Sequence, residues 1–194
     1  MTNGRSAQKS RTRAALLQAA RELSAAGQEI TVQAVARQAN ISKATAYRYF
    51  SDPGVLASEA TLDVAVTPTL TLLGREGDVR RRVHIVSDYY RDFGREHEPG
   101  FRKFLARMMD AWAPDKPIQR GARRIPAFET ALEPVRARMT DADFRLLVLC
   151  LTTTGTGIEY HIAARDVCGM EDAEADRVGR AAVDALLDRF LPAD

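Results

Sequence analysis

The sequence predicts an all-α protein with a small N-terminal bundle and a larger C-terminal one, and three observations predict it. Apolar residues recur at three- and four-residue steps through most of the 194 positions, as one face of a helix requires. Capping and stop residues bracket these segments, and no convincing alternation of apolar and polar residues marks a strand. The first segment, "SRTRAALLQAARELSAAG", starts at a Ser10 cap, stops at Gly27 and sets Ala14, Leu17, Ala20, Arg21 and Leu23 at near-helical spacing. Thr31 then caps "VQAVARQAN", where Val32, Val35, Ala36 and Ala39 share a face and Asn40 tolerates the left-handed backbone that ends the helix. Ser42 caps a third short helix, "KATAYRYF", and Asp52 with Pro53 at the first helical position starts a fourth, "GVLASEATLDVAVT".

Beyond Pro68 and a turn at 74–77, "DVRRRVHIVSDYYRDFGREH" repeats Val79, Val83, Val86, Tyr90 and Phe93 as an amphipathic helix. "PGFRKFLARMMDAWA" does the same with Phe101, Phe104, Leu105, Met108, Met109 and Trp112, and "PDKPIQRG" is a break. Helical signals return in "IPAFETALEPVRARM", which Pro134 can kink. One long helix is expected over "TDADFRLLVLCLTTTGTGIEYHIAARD", capped by Thr140 or Asp141. The last, "EDAEADRVGRAAVDALLDRFL", carries acids in its first turn and Val178, Ala182, Ala185, Leu186 and Arg189 along a stripe.

Charge divides the chain. Residues 1–50 hold eight of the 28 Lys/Arg but only Glu22 and Glu29 among 26 acidic residues, a net +6, which leaves −4 for the remainder. A basic N-terminal unit beside an acidic remainder suits a polyanionic partner. The longest apolar run, 146–151, is far shorter than the roughly 20 residues of a membrane-spanning helix, and no signal-peptide pattern follows the basic N-terminus. The expectation is a soluble, cytoplasmic protein with no membrane partner. Cys150 and Cys168 are too far apart for a CxxC site and read as small hydrophobes. No cofactor or metal motif is present. His84, His97 and His161 are dispersed, and neither a nucleophile elbow nor a glycine-rich phosphate loop occurs, so the enzyme class has no sequence support. A structural or protein-binding module is a further rival.

The second and third helices, short and joined at Asn40, have the form of a helix-turn-helix, whose second helix enters the DNA major groove. Val35, Ile41, Ala46 and Phe50 can form the seam between them, with small Ala36 allowing close approach. Lys43, Thr45, Arg48 and the Tyr hydroxyls then face outward. Lys and Tyr suit phosphate oxygens, and Thr45 and Arg48 can reach base edges.

Thr31, Val35, Ala36, Asn40, Ser42, Lys43, Thr45, Tyr47, Tyr49 and Phe50 together resemble the DNA-binding domain of the TetR family of bacterial transcriptional regulators, over about residues 10–60. The resemblance implies a basic flexible arm at 1–9 and a three-helix DNA-binding domain at 10–57. A fourth helix then joins it to a helical effector-binding and dimerisation domain at 58–194. It implies phosphate contacts from Lys43, Tyr47 and Tyr49, base or mixed contacts from Gln33, Ala44, Thr45 and Arg48, and a site that also includes the caps Thr31 and Ser42. Arg5, Lys9, Arg11 and Arg13 either add contacts to DNA or form a solvated tail. Three positions depart from the family pattern: Asn40 replaces a turn glycine, Ala46 a common Leu, and Pro53 a Lys that in many relatives touches a phosphate.

The resemblance further implies a repressor that binds a pseudo-palindromic duplex operator as a homodimer and is released by a small effector. For the dimer interface the candidates are Gly155, Ile158, Ile162, Val178, Ala182, Ala185, Leu186 and Arg189. Helical Gly155 and Gly157 cost roughly 1 kcal/mol each relative to Ala unless a close backbone approach uses them; the alternative is an internal bend around a ligand. Tyr90, Phe93, Phe104, Met108, Trp112, Leu147, Leu151 and Thr154 either line an apolar effector cavity or are ordinary core. Thr152, Thr153, Thr154 and Thr156, followed by Glu159, Tyr160 and His161, need polar partners within the protein or a ligand.

Overall fold

A computed structural model describes residues 3–63, 66–110, 112 and 122–191, with side chains from residue 8 to 60 and from 66 onward. The break expected at "PDKPIQRG", the Arg5 side chain and the start of the arm lie outside these residues. Among the described residues the structure is helical with no strand, and no helix is long and apolar enough to cross a membrane. The chain divides into two compact units. One comprises 1–66 with 99–120, the other 67–98 with 121–194, so the N-terminal unit extends beyond residue 57 and takes back a later segment.

The first unit contains α1 (Asn3–Ala25), α2 (Val32–Gln38), α3 (Lys43–Tyr49), α4 (Pro53–Asp63) and most of α7 (Glu98–Asp110). Helix α1 begins at Asn3, well before Ser10; the intervening Arg, Ala, Gln and Lys are compatible with helix, so Ser10 is not needed as a cap. Its buried side is Leu16, Leu17, Ala19, Ala20 and Leu23, while Ala14 is exposed. These residues pack with Val32, Val35, Ala36, Ala46, Phe50, Val55 and Leu56. Phe104 and Met108 of α7 complete this core, whereas Met109 and Trp112 are exposed.

The second unit is built from α5 (Thr69–Leu73), α6 (Val79–Glu96), α8 (Arg124–Leu132), α9 (Asp141–Thr153), α10 (Gly157–Ile162) and α11 (Asp172–Phe190). Its core joins Val83, Val86 and Tyr90 of α6 to Phe128 and Leu132 of α8, Leu147 and Leu151 of α9, and Val183 and Leu187 of α11. Pro134, which lacks an N–H, ends α8 in a tighter 3₁₀ segment at Glu133–Arg138. Along one side of α6 and α11, polar side chains pair in rungs: Arg80–Asp188 at 2.6 Å, His84–Asp184 at 2.7 Å, Asp88–Arg180 at 2.7 Å and Arg95–Asp176 at 2.7 Å. Cys150 is half-buried and Cys168 exposed, so neither is the buried small hydrophobe that the sequence suggests.

The long helix expected from Thr140 to Asp166 is interrupted. Thr154 and Thr156 are extended, and Gly155 and Gly157 have φ of 69° and 79°, so the backbone leaves α9 and re-enters as α10. β-branched threonines and two glycines weaken the helix where the break falls. Packing then fixes it. A Cβ on Gly155 would lie 2.8 Å from the Gly179 carbonyl oxygen of α11, and one on Gly94 would lie 3.3 Å from the Ile158 nitrogen. Buried Arg91 donates to the Gly155 carbonyl at 2.8 Å and to Ser87 Oγ at 2.9 Å, and the Thr156 hydroxyl donates to the Ser87 carbonyl at 3.1 Å.

Candidate nucleic-acid interface

Each helix of the helix-turn-helix starts at a side-chain hydrogen bond. Thr31 Oγ1 accepts from the Ala34 N–H at 3.0 Å and Ser42 Oγ from the Thr45 N–H at 3.2 Å, satisfying donors that a helix start leaves free. Between them Asn40 adopts φ 53°, and the Ile41 N–H reaches back to the Ala36 carbonyl at 2.9 Å. Asp52 Oδ1 accepts from the Val55 N–H at 2.7 Å, capping α4 behind Pro53. Val35, Ala46 and Phe50 are buried with Ile41 packed against them, which is the seam expected from the sequence.

With Ala46 inward, α3 turns Lys43, Ala44, Tyr47 and Arg48 to solvent, and Gln33 of α2 and Ser42 are exposed with them. Lys43 Nζ donates to Gln33 Oε1 at 3.1 Å and lies 5.9 Å from the Tyr47 ring centre. Thr45 is half-buried, its hydroxyl oxygen accepting from Ser42 at 2.9 Å. Thr31 is half-buried and occupied as a cap. Tyr49, also half-buried, packs its ring against the first core, with the Arg48 guanidinium 5.9 Å from its centre. An exposed surface of one cation fork, one ammonium, an amide and a phenol can meet phosphates and base edges together.

Behind this surface lies a cluster with no local sequence signal. Arg13 of α1 donates from Nε to Glu59 Oε1 of α4 at 2.8 Å and from its terminal nitrogen to Oε2. Its guanidinium also sits 4.5 Å from the centre of the Phe50 ring. Arg13 is therefore engaged inside the unit and not a member of a solvated arm. Glu22, exposed on α1, has its carboxyl held below the usual range by side-chain hydrogen bonds from Gln38 and Gln18.

The residues proposed for an effector cavity fall into different surroundings. Phe104 and Met108 belong to the first core, and Tyr90, Leu147 and Leu151 to the second, Leu147 and Leu151 being fully buried. Phe93 is buried between the rings of Tyr89 and His97, at 5.9 and 4.6 Å. Trp112 and Thr154 are exposed. The helical stripe thus mixes core positions of two units with surface positions. Burial pushes the Tyr90 hydroxyl up to about 12, and that hydroxyl donates to the Arg123 carbonyl at 3.3 Å. The polar groups near the α9–α10 break find partners within the unit: His161 Nε2 pairs with Glu98 at 2.9 Å, Arg124 with Glu159 at 2.9 Å, and the Tyr160 hydroxyl with the Ala175 carbonyl at 2.5 Å.

Among the interface candidates, Gly155 and Ile158 are buried within the second unit, and the close backbone approach at Gly155 is to Gly179 of the same chain. Val178, Ala185 and Arg189 are exposed, with Ile162, Ala182 and Leu186 half-buried. The stripe of α11 that enters the core is instead Ala175, Gly179, Val183 and Leu187. On α9, Leu146 and Leu149 are exposed, which the sequence reading missed because the whole run 146–151 is apolar.

The model of the family of bacterial regulatory proteins named for tetR matches residues 16–57, the span from the middle of α1 into α4. No curated protein and no solved structure matches the chain. Residues 16–57 thus carry the N-terminal DNA-binding domain of that family, the helix-turn-helix just described, and mark the chain as a DNA-binding transcriptional regulator.

Proposed function

We propose that this regulator is a repressor that binds a pseudo-palindromic duplex operator as a homodimer and is released by a small, largely hydrophobic effector. The observation that carries the reading is the exposed constellation of Gln33, Lys43, Tyr47 and Arg48, held rigidly by the Thr31 and Ser42 caps and the Asn40 turn. In this reading Lys43 and Tyr47 hold phosphates, while Arg48 reads base edges with Gln33, Ala44 and Thr45 beside it. Ser42 and Thr31 orient the helix starts toward the backbone. Tyr49 acts through the seam and contributes at most its hydroxyl.

Support for a second copy comes from exposed Leu146 and Leu149 on α9 and Val178 on α11, apolar surface that association would remove from water. A two-fold dimer would set its two reading helices about 34–36 Å apart or a small multiple of that. An effector would act in the acidic second unit, beside Tyr90 and Phe93. DNA and effector would each favour one head spacing, so their effects on each other are reciprocal. The protein acts in the cytoplasm without catalysis, metal or cofactor.

The test is selection of bound duplexes from a randomised library by the full chain, repeated with candidate apolar metabolites. Enrichment of an inverted repeat, with retention that falls as salt rises, supports the reading. Retention without any enriched sequence overturns it.

A further inference from the structure

We propose that Arg13 is a positioning residue for the DNA-reading helix, acting through Phe50 and Glu59 and not through contact with DNA. The inference rests on the reading of α3 as the element that enters the groove. Helix α3 spans only Lys43–Tyr49 and fully buries just one of its own side chains, the methyl of Ala46, with the Tyr49 ring packed half-buried against the same core. A methyl and one half-buried ring are a small hold on the rotation of a two-turn helix. Its start is held by the Ser42 cap and the Asn40 turn; its end must be held by Phe50, whose N–H closes onto the Ala46 carbonyl and whose ring is 1% exposed.

Arg13 completes that hold. The guanidinium lies against the Phe50 ring at 4.5 Å and places two nitrogens on the two oxygens of Glu59, a carboxylate that is 3% exposed on α4. A planar fork that stacks on an aromatic ring and pairs bidentately with a carboxylate fixes angles as well as distance, which neither an ammonium nor an apolar side chain does. Three elements meet at this one group: α1 through Arg13, α4 through Glu59 and the end of α3 through Phe50. The Arg13 side chain is only 15% exposed and its fork is occupied, so it is not offered to a phosphate. Base readout depends on hydrogen-bond geometry at the groove floor, so a loosened α3 loses sequence discrimination before it loses attraction to the backbone.

The test uses the full chain with a duplex selected by the wild-type protein and a random-sequence duplex of the same length. Arg13→Met, Arg13→Lys, Glu59→Gln and the double variant Arg13→Met/Glu59→Leu are compared by affinity for both duplexes across salt, with circular dichroism to verify folding. Replacing both ends of a buried pair with apolar groups usually preserves stability, so the double variant keeps the readout clear of unfolding. The expected result is a loss of about tenfold or more in the ratio of selected to random affinity, comparable to one mismatched base pair. The salt slope and random-duplex affinity stay unchanged, and Arg13→Lys does not restore the ratio. A double variant with full discrimination overturns the proposal. So does an Arg13→Met variant that weakens both duplexes equally and lowers the salt slope by about one, since that identifies a phosphate contact. Failure of the wild-type chain to select any duplex would instead sink the DNA-binding reading itself.

Discussion

Lys43 Nζ and Gln33 Oε1 lie 3.1 Å apart, bridging the first residue of α3 to the second residue of α2 on the exposed side of the helix-turn-helix. The contact holds an ammonium next to the start of α3 and leaves it exposed. Arg48 is also exposed, further along the same helix.

The roles proposed for Lys43, Thr45 and Arg48 predict different responses to truncation. Lys43→Ala weakens binding to every duplex and reduces the salt slope by about one. Arg48→Ala and Thr45→Ala change which duplexes are preferred, at a cost of about 1–3 kcal/mol at the affected base pair. Filter binding to selected and random duplexes over a salt series distinguishes the two patterns; equal losses on both duplexes for all three variants contradict the assignment.

Asn40 holds φ at 53° at the turn. Asn40→Gly is expected to leave stability unchanged or slightly altered, whereas Asn40→Val, which adds a β-branched side chain in the left-handed region, costs about 1–2 kcal/mol. Urea unfolding followed by circular dichroism measures both.

Gly155 combines positive φ with the Gly179 carbonyl oxygen 2.8 Å from where its Cβ would stand. Gly155→Ala therefore costs about 2–4 kcal/mol from backbone strain and overpacking together. Gly169, with a φ of 63° and nothing within 4 Å of its would-be Cβ, costs only about 1–2 kcal/mol when changed to Ala. Comparable losses at the two sites by thermal unfolding would contradict the packing argument.

The Tyr90 hydroxyl, raised from 10 to about 12 mainly by burial, predicts alkaline sensitivity. An acid with a raised folded-state pKa favours the folded protein while protonated. Its contribution is complete below pH 10 and falls as pH rises from 10 toward 12, because the unfolded chain releases the proton first. Tyr90→Phe removes that part of the pH dependence and one late-titrating phenolate from the tyrosinate absorbance curve. Loss of a phenolate that titrates near pH 10 instead would place Tyr90 in water.

Association is predicted to depend on the exposed apolar side chains of the second unit. Val178→Asp or Leu149→Asp, both at exposed positions, should convert a dimer to a monomer in sedimentation equilibrium while leaving helicity unchanged. A wild-type chain that is monomeric at micromolar concentration contradicts the dimeric reading.

The caps and the turn were readable because their causes are local. Thr31, Ser42 and Asp52 each bond to an N–H three residues on, Asn40 tolerates positive φ, and Pro53 suits a helix start; each of these depends on a few neighbouring residues. The exposed face of α3 followed in part, since helical period turns Ala44, Tyr47 and Arg48 away from Ala46, whereas Lys43, three residues before Ala46, is exposed as the first residue of the helix. Periodicity could not say which stripe of α11 faces inward, because Val178–Ala182–Ala185 and Ala175–Gly179–Val183 are both small and apolar and only the neighbouring helices choose between them. It could not separate the core aromatics of one unit from those of the other, nor foresee that Gly155 serves an approach to Gly179 in the same chain. Arg13 shows the limit most clearly. Its sequence neighbours make it one more cation in a basic stretch, and only folding brings Glu59, 46 positions away, onto its guanidinium with Phe50 beneath. Short-range steric and hydrogen-bonding preferences are written in adjacent residues; the use of a charge depends on which distant group removes it from water.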